Sequence, residues 1–310
     1  MGLLVDGVWR DEWYDTEKTG GRFVRTQAQF RNWITRNGND FPAESGRYHL
    51  YVSPSCPWAH RTLIIRSLKG LQSHISVSYV YWFEEGKGWS FDRSRPAGLA
   101  EDADLKYLYE IYLRQNPAYS GRVSVPVLWD KKTRSIVNNE SSEIIRMLGS
   151  AFDGIGALHG DYYPASLRDE IDELNARIYE KVNNGVYRSG FATSQTAYEE
   201  AVTPLFDTLD YLDTLLKRNE WLVGNMLTEA DIRLFPTLLR FDPVYYSHFK
   251  CNLRQIRSYP NLWQFTRRFY ALPGVAETVD IHQIKRHYYF SNRTINPTGI
   301  VPIGPEISFE

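Results

Sequence analysis

The period of the apolar positions changes once along the chain, near residue 165. Before that point the repeats are strand-like and short. Tyr48-His49-Leu50-Tyr51-Val52, aromatic and β-branched, predicts a strand. After the turn Ser53-Pro54-Ser55-Cys56-Pro57-Trp58-Ala59, Leu63, Ile64 and Leu68 share one face of a predicted helix. Ile75 to Tyr81 alternates as a second strand. Val125-Pro126-Val127-Leu128-Trp129 and Ser135-Ile136-Val137 predict a hairpin across Asp130 to Arg134. Beyond Asn138-Asn139 a helix turns Ile144, Ile145 and Leu148 inward.

From about residue 165 the period is helical. Leu167, Ile171, Leu174 and Ile178 fall on one face, as do Val202, Leu205, Phe206, Leu209, Leu212 and Leu216. Thr228-Glu229-Ala230-Asp231 reads as a capping box, and Pro260 and Pro273 bracket one more helix. The order β-α-β, a long insert, then β-β-α is the thioredoxin plan. The expected organisation is therefore an N-terminal extension over 1–45, a thioredoxin-like α/β domain over 46–155, an all-α domain over 165–290 and an extended tail over 291–310. Within the extension a short helix is expected from Gln27 to Ile34.

Composition narrows the function. The net charge is −1, with 36 basic against 37 acidic side chains, so no basic excess exists to neutralise nucleic-acid phosphates. No apolar run approaches the ~20 residues that span a bilayer. The start, Met1 to Asp6, has neither the shape of a signal peptide nor the Ser or Thr of a myristoylation signal. Two cysteines, Cys56 and Cys251, make no disulfide framework and favour a reducing compartment. The expectation is a cytoplasmic protein without nucleic-acid or membrane partners. No metal-ligand or nucleotide-binding motif is present, so neither a metal nor a permanently bound cofactor is expected.

Cys56 carries the candidate chemistry. It sits between a strand and a helix, and Pro57 suits the first helical position, where a missing N–H costs nothing. Unpaired amides and the positive end of the helix dipole favour a thiolate there, lowering a pKa that is ~8.5 in a free cysteine. The alternative is an inert buried thiol, the better reading for Cys251. Position 59 is Ala, so Cys56 has no local resolving partner; a mixed disulfide formed on it would need an external thiol such as glutathione. Val125-Pro126 precedes a strand, and in the thioredoxin plan such a proline is usually cis, which would present the Val125 backbone to a peptide-like ligand. An ordinary edge-strand proline remains open. Glu140-Ser141 opens a helix whose amides can hold a carboxylate while Glu140 pairs an ammonium, the two charges of a γ-glutamyl group. A plain helix start remains open too.

Six segments in order, Ser-Cys-Pro-Trp-Ala-His-Arg, Ser-Val-Pro-Val-Leu-Trp-Asp, Asn-Asn-Glu-Ser-Ser-Glu-Ile, Asn-Asn-Gly-Val-Tyr, Arg-Phe-Asp-Pro-Val-Tyr and His-Tyr-Tyr, carry a resemblance. Together they resemble the glutathionyl-hydroquinone reductases, the Xi class of the glutathione transferases, over essentially the whole chain. The resemblance implies a homodimer of glutathione transferase architecture, with glutathione as co-substrate and quinol-type aromatics as substrates. It makes Cys56 the nucleophile. It assigns glutathione contacts to Trp89, to Arg122, Val123, Ser124, Val125 and Pro126, and to Glu140 and Ser141. It makes Tyr187 the proton donor or acceptor, and has Tyr245 and Tyr288 lower the pKa of Cys56. The alternatives are a broader thiol transferase acting on glutathione mixed disulfides or dehydroascorbate, and a non-catalytic glutathione-binding scaffold.

Overall fold

A computed structural model describes residues 2–81, 83, 86–92, 94, 99 and 102–309. The chain forms two compact units, Met1–Trp13 with Thr26–Gly160, and Tyr14–Arg25 with Asp161–Glu310. The stretch 1–45 is thus not one extension: its residues are shared between the two.

The first unit opens with a hairpin, β1 (Leu3–Val5) and β2 (Val8–Arg10), turned by Asp6 and Gly7 at φ 48° and 76°. Two positive-φ residues give the turn a twist that matches its strands, and Asp-Gly tolerates both angles. The central sheet has the order β4-β3-β6-β7 among the described residues. Its first strand, β3 (Tyr48–Val52), is buried at every position. The chain crosses through helix α1 (Pro57–Leu68) to β4 (Ile75–Tyr79), which lies parallel to β3. Helix α2 (Tyr109–Gln115) and strand β5 (Gly121–Arg122), which pairs with β1, lead to β6 (Val127–Asp130) and β7 (Ser135–Asn138), both antiparallel. Helix α3 (Ser141–Ser150) closes the unit by packing on α1.

Gln27 to Ile34 is extended rather than helical. Arg31 bridges Asn138 in antiparallel register, the Asn32 amide donates to the Val137 carbonyl at 3.0 Å, and the Asn139 amide donates to the Phe30 carbonyl at 3.1 Å. The edge of β7 offers unpaired backbone groups, and pairing with them wins over a helix of two turns, which is marginal on its own.

The second unit is helical: α4 (Arg168–Ile178), α5 (Gly185–Gly190), α6 (Gln195–Leu216), α7 (Glu229–Arg240), α8 (Pro260–Tyr270) and α9 (Ile281–Ser291). Ser194 caps α6, and Pro260 opens α8 at the position where no amide is needed. The capping box before α7 is present: Asp231 accepts from the Thr228 amide at 2.8 Å and from its hydroxyl at 3.0 Å. Two π-helical segments interrupt the regular helices, Tyr179–Asn183 before α5 and Phe241–Tyr245 after α7. Such segments shift the side chains that follow them by a residue and are frequent at functional sites. Tyr14–Arg25 straps onto this unit. Arg22 makes two 2.8 Å bonds to Glu200, the Thr193 amide donates to the Gly21 carbonyl, and Phe23 packs on Phe191. The tail is extended; Lys285 donates to the carbonyls of Ile303 and Gly304, and Phe309 lies against Trp263 and Tyr270.

Candidate active site

Strand β3 ends in a tight turn in which the Cys56 amide donates to the Ser53 carbonyl at 3.1 Å. Cys56 is extended (φ −79°, ψ 122°) and is the cap residue of α1, with Pro57 as its first member. The sulfur therefore stands at the end of the helix where the first amides have no partner within the helix and the dipole is positive, the environment that favours a thiolate. The residue is 9% exposed, and in its neutral form the thiol donates to the Val125 carbonyl at 3.7 Å. That carbonyl belongs to the cis Val125-Pro126 bond, so the cis bond is present where the thioredoxin plan predicts it.

Three further parts gather in this unit. Arg122 lies in β5 and donates to the Glu12 carbonyl; Val123 and Ser124 run between β5 and β6 outside any ladder. Trp89 is 4% exposed, its carbonyl accepting from the Leu108 amide. Glu140 caps α3, and one carboxylate oxygen accepts from the Ser142 amide at 2.9 Å and the Ser142 hydroxyl at 2.8 Å. The N-terminus of α3 thus holds a carboxylate, its own. Arg61 of α1, almost fully buried, donates to the Ser141 hydroxyl at 3.4 Å and lies over the Trp58 ring. Sequence reasoning misses Arg61. Its place five residues after Cys56, in a helix where the positions one turn away, Pro57, Trp58, Ile64 and Ile65, are apolar, is the signal that marks it.

The second unit brings its three candidate tyrosines together. The Tyr187 and Tyr288 hydroxyls are 2.6 Å apart, and those of Tyr245 and Tyr288 are 2.9 Å apart. Tyr187 comes from α5, Tyr245 ends the second π segment, and Tyr288 comes from α9. Phe249 packs on all three rings at 5.4 to 5.6 Å between centroids. The Arg25 guanidinium lies 4.7 Å from the centre of the Tyr187 ring and donates to the Asn184 side chain at 2.9 Å. Burial, and next the adjacent Tyr187, raise Tyr245 well above the ordinary phenol value; burial and the same neighbour do so for Tyr288. Both are therefore neutral hydrogen-bond donors at neutral pH. Cys251, fully buried in this unit, has its thiol pushed up to about 12 by burial and is no nucleophile.

Residues 55–151 match the glutathione S-transferase N-terminal domain family and residues 195–268 the glutathione S-transferase C-terminal domain family. The chain is 58% identical over 308 residues to glutathionyl-hydroquinone reductase PcpF of Sphingobium chlorophenolicum, covering 98% of this chain and 96% of that one. The glutathione-bound structure of YqjG, a glutathione transferase homolog of Escherichia coli K-12, superposes with a TM-score of 0.90 at 52% identity, covering 99% and 97% of the two chains. The Xi-class transferase of Natrialba magadii gives 0.91 at 45% identity, covering 100% and 95%.

Proposed function

This chain belongs to the glutathionyl-hydroquinone reductases, the Xi class of the glutathione transferases, and from that premise we propose that it is an enzyme reducing glutathionyl-hydroquinones through Cys56. The observation that carries the proposal is Cys56 at the head of α1, its thiol against the carbonyl of a cis Val125-Pro126 bond, with no second cysteine in the turn. The Cys56 thiolate attacks the sulfur of the aryl thioether. The sulfur–sulfur bond forms, the carbon–sulfur bond breaks, and the aromatic carbon takes a proton from Tyr187, giving hydroquinone and a Cys56–glutathione disulfide. A second glutathione, as thiolate, attacks the disulfide and leaves as glutathione disulfide. Its proton restores Tyr187 by way of solvent. Overall one carbon–sulfur bond is reduced to carbon–hydrogen, and two glutathione sulfurs, one of the thioether and one of the thiol, are oxidised to a disulfide.

Within this reading Trp89, the Arg122 to Pro126 stretch, Glu140 and Ser141 hold glutathione, and Tyr245 and Tyr288 exchange the hydrogen bond between them for donation to the Cys56 sulfur. Glutathione is the co-substrate, no cofactor is held permanently, and quinol-type aromatics are the substrates. The reading extends to a cytoplasmic homodimer: a chain with two cysteines and no disulfide framework suits a reducing compartment, and light scattering reads the association.

The test is incubation with a glutathionylated hydroquinone and glutathione, following both products. Hydroquinone and glutathione disulfide should appear in equal amounts, with parallel double-reciprocal lines for the two substrates. Activity on the quinol should far exceed that on a glutathionylated peptide. Equal kcat/KM for the two would move the reading to a general thiol transferase, and no hydroquinone at all would end it.

A further inference from the structure

Between β5 and β6 the main chain leaves every ladder, so residues 123–126 must find their hydrogen bonds elsewhere. Ser124 finds both of its backbone bonds in one side chain. The Tyr112 hydroxyl, carried on α2, donates to the Ser124 carbonyl at 2.8 Å and accepts from the Ser124 amide at 3.2 Å. Its remaining lone pair accepts from the Asn139 side-chain amide at 3.3 Å. One donor and two acceptor sites are all used. Tyr112 is fully buried, and burial raises it above the ordinary phenol value, so the hydroxyl keeps its proton and the three bonds persist over the working pH range.

Of the two residues it ties together, Ser124 lies within the proposed glutathione site and Asn139 stands next to it. Ser124 precedes Val125, whose carbonyl meets the Cys56 thiol, and Asn139 precedes Glu140, the cap of α3. Asn139 is itself fixed through its side-chain oxygen, which accepts from the Phe30 amide at 3.1 Å. Glutathione is a short peptide with its cysteinyl backbone at one end of that span and its γ-glutamyl charges at the other. The spacing between the two loops must match it.

The structure assigns Tyr112 as a positioning residue for glutathione: its hydroxyl sets the distance between the cis-proline loop and the head of α3. This rests on the reading of Cys56 as a glutathione-using thiol. Tyr112 touches neither Cys56 nor the quinol in that reading, so its loss should weaken glutathione binding and spare the chemical step.

The experiment compares Tyr112→Phe with Tyr48→Phe. Tyr48 is another fully buried tyrosine of the same unit, whose hydroxyl donates at 2.7 Å to the Pro42 carbonyl, outside the proposed site. Each variant removes one buried hydroxyl and should lower the thermal midpoint. Tyr112→Phe should raise both the KM for the glutathionylated hydroquinone, whose glutathionyl group fills the site, and the Kd for glutathione from calorimetry about tenfold, the loss expected when buried partners go unpaired, with kcat at saturating substrates within about twofold of wild type. Tyr48→Phe should leave KM and Kd unchanged. Overturning results are an unchanged KM and Kd in Tyr112→Phe, or an equal rise in both variants, which would make the effect one of general stability. A wild-type protein that binds no glutathione would remove the functional reading itself, and this role with it.

Discussion

The turn at Cys56 and the tyrosine cluster of the second unit are built from opposite materials. Around Cys56 the proposed functional groups are main-chain ones: the head of α1, the carbonyl of a cis bond and the amides that head α3. In the second unit they are side-chain hydroxyls, three of them within 2.9 Å of a neighbour, gathered from α5, a π segment and α9. Main-chain groups are held by the fold itself and survive most substitutions. Hydroxyls held by hydroxyls are removable one at a time, so the second region is where the chemistry can be tuned without unmaking the fold.

The most severe way to break that contrast is at the nucleophile. Cys56→Ser should cost at least about a thousandfold in reductase turnover, since no other group in the proposal forms the covalent intermediate. Cys251→Ser should leave turnover near wild type. Mass spectrometry of wild type given substrate alone should find one glutathione adduct, on Cys56; an adduct on Cys251 would reverse the assignment.

Acid should then separate the sheet that carries the Cys56 turn from the turn itself. His49 in β3 is buried between the Ser76 and Ser78 hydroxyls, and burial lowers it to about 3. An unfolded chain binds the proton near pH 6.5, so the folded state is the poorer proton binder between these values. Its stability is therefore complete above pH 6.5 and falls as pH drops toward 3, by about 2 kcal/mol at pH 5 from this group. Denaturant unfolding at pH 7 and pH 5 should show that loss in wild type and a smaller one in His49→Gln. Equal losses would mean that His49 is not the group that titrates.

The gentlest change should be at the tyrosines. If Tyr245 and Tyr288 donate to the Cys56 thiolate, replacing both with Phe should raise the Cys56 pKa by about one unit, or ~1.4 kcal/mol. The pH dependence of alkylation by iodoacetamide at Cys56 reads this directly. Coincident curves for wild type and the double variant would leave the two phenols as packing or quinol-contacting groups.

The same contrast explains which parts of the molecule are legible in its sequence. Strand β3, the hairpin of β6 and β7 and the head of α1 are written in contiguous residues, because main-chain features depend on local types such as β-branched runs, turn residues and a proline at a helix start. The meeting of Tyr187 with Tyr288 is not, since 101 positions separate them and no local period connects them. Only resemblance to a family singles those residues out. Gln27 to Ile34 fails for a related reason: what decides its conformation is the edge of β7, far along the chain. Tyr112 carries no signal of its own, because a tyrosine in a short helix looks like ordinary packing until its hydroxyl partners are known.

The strap formed by Tyr14–Arg25 has a consequence for how the protein is made. Those residues leave the ribosome long before their partners; 178 positions separate Arg22 from Glu200. At about 5–20 residues per second, the delay between the two is roughly 10 to 35 seconds. During that interval residues 26–160 emerge, while Phe23 waits for Tyr187 and Phe191 to pack on. The strap is thus secured only after a much later part of the chain has emerged, and any protease or holdase that inspects the nascent protein meets it exposed.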